Sequence, residues 1–430
     1  MTSASLISSP ARRVGELVVV EHRLRVPLDH ALPGGEQIEV FAREVASVAG
    51  ARSDLPLLAW FQGGPGNRAD RPLNASGWLG RALEQFRVVL IDQRGTGLSS
   101  PVSRATIGGR TPQQVAERLT HFRADAIVAD AEALRVALGA RTWSILGQSF
   151  GGFIATSYLS RHPQSLDRAL ITAGLPTLSG DPDEVYRRTY AQTARRSDEL
   201  FETHPGLEQL CRDVVQHLEE HDERLPTGER LTPERFQSLG IQLGSQSGFA
   251  AIAYQLESAF APTPAGRRLS DAFLVEAGGV LSFGRNPLYA VLHESIYSDG
   301  RPTRWSAHRM RAESPEFSAR TDGAFRFTGE MIFPWLFVQD PALVPFAEAA
   351  EALAEHDGWT ALVDRAALGS NEVPVAAAVY LDDMFVPADL SLETASAIRG
   401  IRLDVTNRYQ HDGIRQDGPA ILSRLLDSLR

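Results

Sequence analysis

The strongest constraint on this chain is a serine at residue 149, in the stretch GQSFGG (residues 147–152), where a strand must turn into a helix. Residues 142–146 (TWSIL) favour a strand, and residues 153–163 carry apolar side chains at helical spacing. A turn this sharp requires glycine on both sides of the serine. The stretch therefore fits the Gly-x-Ser-x-Gly pattern, in which a strained turn exposes the serine hydroxyl as a nucleophile. A glycine-rich turn without a catalytic role is the alternative.

The segments around this turn predict an α/β fold. Near-continuous apolar strands alternate with helical patterns, which is typical of a mostly parallel sheet with helices on both faces. A long helix opens at a Thr-Pro pair and ends at Gly139. The other predicted strands are residues 16–28, 36–45, 55–61, 86–92, 166–174, 373–381 and 400–407.

The pattern becomes mostly helical after about residue 176, and strand patterns return only after residue 360. We therefore predict one α/β core made of residues 1–175 and 361–430, interrupted by a helical cap of residues 176–360. Such an insertion would lie over the carboxyl edge of the sheet, where α/β proteins bind ligands.

The composition is that of a globular protein of 430 residues, with 43% hydrophobic and 22% charged side chains. A formal net charge of −10 gives no electrostatic footprint for nucleic acid. The single cysteine, Cys211, allows neither an internal disulfide nor a thiolate zinc cluster, and we expect it to be buried in a helix. No apolar stretch fits a membrane span or a secretory signal, so we expect a cytoplasmic protein.

A serine nucleophile needs a base and a group that orients the base, and in folds that carry the Gly-x-Ser-x-Gly turn these follow in the order acid, then histidine. Asp382 and Asp383 end one predicted strand, and His411 follows the next. His221 and His356 also precede an aspartate, but they lie in helical sequence before the candidate acids. Adjacent residues at a strand end point in opposite directions, so one of the two aspartates is expected to reach the imidazole.

Backbone amides must stabilise the oxyanion that forms during attack by the serine. The residue after the nucleophile, Phe150, supplies one amide, and we assign the second to Gly64 in the loop GGPG (residues 63–66) after a strand. We interpret the charged loop at residues 92–97 (DQRGTG) as structural. The chemistry requires neither metal nor cofactor, and no cofactor-binding motif is present.

Five stretches together resemble one known family: QGGPG, VVLIDQRGTGLSSP, GQSFGG, YLDDMFVP and YQHDG. They are similar to the proline iminopeptidases (prolyl aminopeptidases), serine exopeptidases of the α/β-hydrolase fold. The resemblance covers about residues 60–160 and 375–415. It implies that Ser149 is the nucleophile, that Asp383 is the acid, and that His411 is the base.

The family acid stands four residues before a proline, which here selects Asp383 ahead of Pro387. Two departures from the family pattern are visible. Gln62 occupies the place of the usual first histidine of His-Gly-Gly-Pro-Gly. The insertion is also longer than in short members of the family. It resembles a longer branch that accepts several substrates, so strict preference for proline does not follow.

The resemblance also implies an anchor for the charged N-terminus of the substrate, formed by carboxylates of the cap. The segments HESIY and GEMIFPW suggest Glu294 and Glu330 for this role. Nearby aromatic residues are candidates for a pyrrolidine pocket or for core packing: Tyr297, Phe333 and Trp335.

We therefore expect a serine exopeptidase that releases an N-terminal residue, preferably proline, from short peptides with a free N-terminus. We expect neither nucleic acid nor a membrane as a partner, and the sequence leaves the oligomeric state open. One alternative is an esterase or amidase that acts on a small non-peptide substrate with the same three residues. A second alternative is a catalytically silent α/β hydrolase that serves as a binding module.

Overall fold

The computed structural model describes residues 6–264, 266–320 and 323–430. Its strands, in chain order, are β1 (Leu6–Ser8), β2 (Arg12–Val14), β3 (Leu17–Pro27), β4 (Gln37–Ser47), β5 (Leu57–Phe61), β6 (Arg87–Asp92), β7 (Trp143–Gln148), β8 (Leu166–Thr172), β9 (Phe260–Thr263), β10 (Gly266–Leu269), β11 (Val375–Tyr380) and β12 (Arg402–Thr406).

Within the described residues, ten strands form one sheet in the order β1-β3-β4-β6-β5-β7-β8-β11-β12, with β2 paired to β3. The strands from β6 to β12 in this order pair in parallel, whereas β3 pairs antiparallel with β4 and β4 with β6. All residues of β5, β7 and β11 are buried, as expected for central strands covered on both faces. The predicted α/β fold with a mostly parallel sheet is confirmed.

Helices cover both faces of the sheet. In chain order they are α1 (Gly77–Ala82), α2 (Pro112–Leu119), α3 (Ala124–Ala137), α4 (Phe150–Arg161), α5 (Pro182–Thr203), α6 (Leu207–Glu220), α7 (Pro233–Gln237), α8 (Gly248–Glu257), α9 (Asp271–Leu281), α10 (Pro287–Leu292), α11 (Ser306–Arg311), α12 (Leu336–Gln339), α13 (Ala347–Ala354), α14 (Arg365–Gly369), α15 (Ala388–Ala397), α16 (Gly413–Gln416) and α17 (Gly418–Asp427). None of the helices in the described ranges is both long enough and apolar enough to cross a membrane.

Two apolar cores result from the alternation of side chains along the buried strands. In β7, Ile145 packs into the core that includes α3 and α4, and the next residue, Leu146, packs into the core that includes α1 and α17. The first core continues into the insertion through Tyr186, Cys211 and Phe236, all of them buried. The insertion and the sheet therefore share one hydrophobic core.

Between β8 and β11 the chain is mostly helical, but it also forms a hairpin that we did not predict from the sequence. The antiparallel pair of β9 and β10 carries largely exposed residues, several of them charged or proline. Such short strands lack the apolar alternation by which strands are recognised in a sequence. The division into a core of residues 1–175 and 361–430 and a cap of residues 176–360 stays a prediction.

Candidate active site

Ser149 lies in a sharp turn between β7 and α4, with φ at +56°, a value that non-glycine residues rarely adopt. The turn is possible because the neighbouring backbone segments approach very closely. A Cβ added to Gly151 would lie 1.9 Å from the carbonyl oxygen of Phe61, and one added to Gly147 would lie 2.1 Å from that of Gly151. Only glycine fits at these two positions, which explains the sequence pattern around the serine.

His411 and Asp383 form a close pair in loops at the carboxyl edge of the sheet. His411 Nδ1 lies 2.7 Å from Asp383 Oδ2, and the carboxylate is 2% exposed. The other oxygen of Asp383 accepts hydrogen bonds from the amides of Phe385 and Val386, at 2.8 and 3.0 Å. With Asp383 ionised, this geometry assigns the proton of the neutral imidazole to Nδ1 and leaves Nε2 as an acceptor.

The surroundings of His411 act on its pKa in opposite directions. Burial disfavours the imidazolium, but the charge of Asp383 and its hydrogen bond to Nδ1 outweigh this cost, so the pKa of His411 is raised above its ordinary value. The neighbouring Asp382 points away, and its carboxylate accepts a hydrogen bond from Arg195 of α5 at 2.7 Å. Of the two candidate acids, Asp383 is therefore the one that contacts His411.

Gln148 contacts the acceptor nitrogen of His411, which we did not predict from the sequence. Its Nε2 lies 3.3 Å from His411 Nε2, and both Gln148 and Ser149 are buried, with 6% and 8% of their surface exposed. The amide therefore competes with any other donor, the Ser149 hydroxyl included, for the lone pair of the imidazole. The position of Gln148 within the turn was the only hint in the sequence.

The glycine loop after β5 lies against the serine. A Cβ added to Gly63 would lie 2.9 Å from the Cβ of Ser149, and Gly64 follows in the chain. Gln62 starts this loop and accepts two hydrogen bonds. Its side-chain oxygen accepts one from Trp60 Nε1 at 3.1 Å, and its backbone carbonyl accepts one from Gln93 Nε2 at 2.6 Å. These two bonds hold the start of the loop, where Gln62 occupies the place of the usual family histidine. Phe150 begins α4, so its amide is at a helix N-terminus.

The charged loop after β6 connects neighbouring segments. Asp92, which is fully buried, accepts two hydrogen bonds from the Arg71 guanidinium and two from the amides of Ala69 and Leu98. Arg94 is also buried and is paired through two nitrogens with Asp130 of α3, at 2.7 and 2.6 Å. Both charges are paired and hydrogen-bonded, which is how buried charges are tolerated.

Glu330 lies near the His411–Asp383 pair. Its side chain is 11% exposed, Tyr289 Oη donates a hydrogen bond to its Oε1, and His293 Nε2 is 3.8 Å from its Oε2. Burial raises the pKa of Glu330 to about 7, the nearby charge of Asp383 adds to this rise, and His411 and Tyr289 oppose it. The carboxyl group of Glu330 therefore ionises near neutral pH, close to His411.

Glu294 has different partners. Its Oε2 and Oε1 accept hydrogen bonds from the amides of Ser306 and Ala307, both at 2.9 Å, at the start of α11. Burial raises the pKa of Glu294 to about 7, although these two hydrogen bonds favour the ionised form. Both oxygens are thus engaged by backbone, and Glu294 differs in this respect from Glu330.

Tyr289, His293 and Tyr297 form one aromatic row. They are spaced four residues apart, as neighbours on one helical face are, and their ring centroids are separated by 5.1 and 6.0 Å. Tyr297 also contacts Phe153 at 5.9 Å, and Phe153 contacts Phe150 beside the serine at 6.1 Å. This spacing in PLYAVLHESIY could have identified Tyr289 from the sequence.

Two aromatic residues proposed with Tyr297 from the sequence belong to another cluster. Phe333 and Trp335 stack on each other with centroids 5.1 Å apart. Phe333 also contacts the His308 ring at 6.4 Å, and the Arg311 guanidinium lies 5.5 Å from its ring centroid. Of the three proposed residues, Tyr297 is therefore the one that ring contacts connect, through Phe153, to Phe150 next to Ser149.

Comparison with known proteins identifies the family of this chain. Residues 56–347 match the model of the alpha/beta hydrolase fold family. The proline iminopeptidase of Aeromonas sobria is 43% identical over 423 residues, which cover 98% of this chain and 99% of that protein. The chain belongs to the proline iminopeptidase family.

Two further relatives differ in how much of this chain they match. The proline iminopeptidase aneH of Aspergillus aculeatus is 34% identical, with 96% of this chain and 93% of that protein covered. The proline iminopeptidase of Xylella fastidiosa strain 9a5c matches at 37% identity, but over only 81 residues, which are 19% of this chain and 21% of that protein. The two long alignments both include residues 176–360.

Proposed function

We propose that this protein is a serine exopeptidase that releases an N-terminal residue, preferably proline, from short peptides. The observation that carries the proposal is the position of Glu330, a buried carboxylate that accepts a hydrogen bond from Tyr289 and whose charge interacts with those of His411 and Asp383. The substrate of such an exopeptidase carries a cationic amine on the residue that is released, one residue from the bond to be cut. A carboxylate beside the base of a serine hydrolase can bind this amine. Membership of the proline iminopeptidase family supports the same substrate class.

The proposed reaction begins with transfer of a proton. His411 Nε2 accepts the Ser149 proton while Ser149 Oγ attacks the first peptide carbonyl, and the Gln148 amide yields its place on Nε2. Asp383 keeps the proton of the neutral imidazole on Nδ1 and stabilises the imidazolium. We assign stabilisation of the tetrahedral oxyanion to the amides of Phe150 and Gly64.

Collapse of this intermediate breaks the peptide bond. His411 gives its proton to the leaving nitrogen, the shortened peptide departs as an amine, and the N-terminal residue stays esterified to Ser149. Water then attacks the ester while His411 accepts its proton, and the free amino acid is released as the serine is reprotonated. The steps consume one water for each bond cut.

Glu330 is the proposed partner of the substrate's N-terminal cation, a secondary ammonium when the residue is proline. Tyr289 orients one carboxylate oxygen through its hydroxyl and leaves the other available. Glu294 stays a candidate for the same role, and its bonds to the amides at the start of α11 support an effect through the shape of the site. The ring contacts from Phe150 through Phe153 to Tyr297 support a wall against which a pyrrolidine ring could pack.

Residues 176–360 are proposed to act as a cap over the core of residues 1–175 and 361–430. The serine and the histidine are both buried, which supports a site that admits small substrates and excludes folded proteins. We also propose a cytoplasmic location, because the single cysteine is a buried thiol and the chemistry needs no oxidising environment.

The experiment compares four substrates on the wild type and on Ser149→Ala: proline arylamide, alanine arylamide, N-acetyl-proline arylamide and a butyrate ester. We expect turnover of the proline compound to exceed that of the alanine compound, and we expect both acetylation and the mutation to abolish it. Fast ester cleavage without arylamide turnover would instead support a small-molecule esterase. Binding of an active-site phosphonate to neither protein would support a catalytically silent module.

A further inference from the structure

A large cavity of about 880 Å³ lies beside the candidate active site. Its walls come from four separate segments: the loop after β5 from Gln62 to Arg71, the loop after β6, residues 284–288 at the start of α10, and Arg415 of α16. The core and the cap both contribute to it. The catalytic steps proposed above use none of the side chains that line it.

The cavity is rich in arginine. Arg71 is paired with the buried Asp92 through two hydrogen bonds of 2.8 and 2.5 Å, so its charge is balanced. Arg68, Arg285 and Arg415 are exposed, and their guanidinium groups have no hydrogen bond or ion pair with any residue that the structure describes.

Negative charge in the cavity is scarce. Among the described residues that line it, Asp70 is the only carboxylate. The cavity therefore carries three unpaired guanidinium groups and one carboxylate, although the formal net charge of the whole chain is −10. A concave, locally basic surface on an acidic protein attracts anions and raises their local concentration.

The cavity adjoins the reacting groups on two sides. Gln62 and Gly66 line the cavity, and between them lie residues 63–65, of which Gly63 lies against Ser149. Arg415 follows His411 by four residues, in the short helix α16. Since His411 must protonate the leaving nitrogen, the leaving peptide has to pass along the loop that carries it.

We propose that this cavity binds the C-terminal carboxylate of the leaving peptide, so that short peptides with a free C-terminus are preferred substrates. The proposal rests on the proposed exopeptidase activity. Guanidinium groups bind carboxylates through paired, charge-assisted hydrogen bonds, and such recognition is stronger where several donors converge in a concave site. The two ends of a short peptide would then be held by opposite charges, the N-terminus by Glu330 and the C-terminus by arginines.

The test uses two matched series of proline peptides, with two to five residues each, that differ only in a free or an amidated C-terminus. The measured quantity is the ratio of kcat/KM for the free peptide to kcat/KM for the amide of equal length. We expect a ratio of roughly fivefold or more at the length whose carboxylate reaches the cavity, carried by KM. We expect the ratio to decline as salt is raised from 0.02 to 0.5 M, because exposed charges are screened.

Variants then locate the effect. Arg285→Ala and Arg415→Ala are expected to bring the ratio toward one, Arg415→Lys to restore part of it, and Arg25→Ala to keep it, since Arg25 is exposed on β3 and away from the cavity. Cleavage of both series with a ratio of one at every length would overturn this inference and leave the exopeptidase proposal standing. Cleavage of neither series would overturn the proposed function, and with it this inference.

Discussion

Asp383 turns toward His411, with 2.7 Å between Oδ2 and Nδ1, while the adjacent Asp382 turns toward Arg195 at the same distance. Two chemically identical neighbours thus have opposite surroundings. One is buried and holds an imidazole, and the other is part of an ion pair in which both side chains are partly exposed. This contrast provides an internal control for the proposed mechanism.

Asp383→Asn is expected to lower kcat for proline arylamide by about 10³- to 10⁴-fold, because the amide no longer fixes the tautomer and no longer stabilises the imidazolium. Asp382→Asn is the matched control and is expected to stay within about twofold of the wild type, since an exposed ion pair contributes little. Steady-state kinetics with circular dichroism of both variants is the measurement. Equal losses in the two variants would contradict the assignment of Asp383.

The candidate catalytic residues could be selected from the sequence because their signals are local. The glycines around Ser149 are required because an added Cβ would lie only about 2 Å from a backbone carbonyl oxygen, and that requirement appears directly in the sequence. The order of acid and histidine after successive strands is set by the parallel sheet, whose carboxyl ends meet at one edge. The pattern of strands also predicted the fold, because buried parallel strands are nearly continuous apolar runs.

Contacts between distant segments of residues 176–360 could not be predicted in this way. Tyr289 and Glu330 are 41 residues apart, and their hydrogen bond depends on how α10 packs beside the loop that carries Glu330. Glu294 and Glu330 looked equivalent in the sequence, but backbone amides engage only the first through both oxygens. The arginine cavity combines four segments of the chain, so no single stretch signals it.

The pH dependence of kcat/KM is expected to distinguish Glu330 from His411. Glu330 must be ionised to bind a cationic amine, and its pKa is raised to about 7, so binding weakens as the pH falls through 7. His411 must be neutral to accept the serine proton, and its raised pKa places its protonation on the same acid side. The wild type should therefore lose log(kcat/KM) with a limiting slope near two per pH unit in acid.

Glu330→Gln should reduce that limiting slope to one and lower kcat/KM for proline arylamide by about 10- to 100-fold at pH 8, through loss of a charge-assisted bond. The control is Glu372→Gln, whose carboxylate is 84% exposed. A slope of two that persists in the Glu330 variant would assign the second proton to another group. The measurement is a pH profile from 5 to 9 for both variants and the wild type.

The same substitution is expected to stabilise the protein at alkaline pH. A carboxyl group whose pKa rises from 4.5 to about 7 on folding binds more protons in the folded state, so the free energy of unfolding decreases as the pH rises between these values. Glu330→Gln removes this cost, so its free energy of unfolding should exceed that of the wild type by about 1–3 kcal/mol at pH 8. At pH 4.5 we expect no such difference. Urea unfolding at the two pH values measures it. A variant less stable than the wild type at pH 8 would contradict the raised pKa.

Because the backbone packs closely around Ser149, we expect two Gly→Ala substitutions to have opposite effects on stability. Gly151→Ala is expected to destabilise the fold by more than about 3 kcal/mol, because its Cβ would meet the Phe61 carbonyl at 1.9 Å and that carbonyl belongs to a central strand. Gly279→Ala is the control: it lies exposed inside α9 with no atom within 4 Å of its added Cβ, and alanine should stabilise that helix by about 0.5–1 kcal/mol. Thermal and urea unfolding of the two variants is the measurement, and soluble yield serves if Gly151→Ala does not fold. Comparable stability of both variants would mean that the turn around Ser149 can relax, and the strain at φ +56° would then not be held by its surroundings.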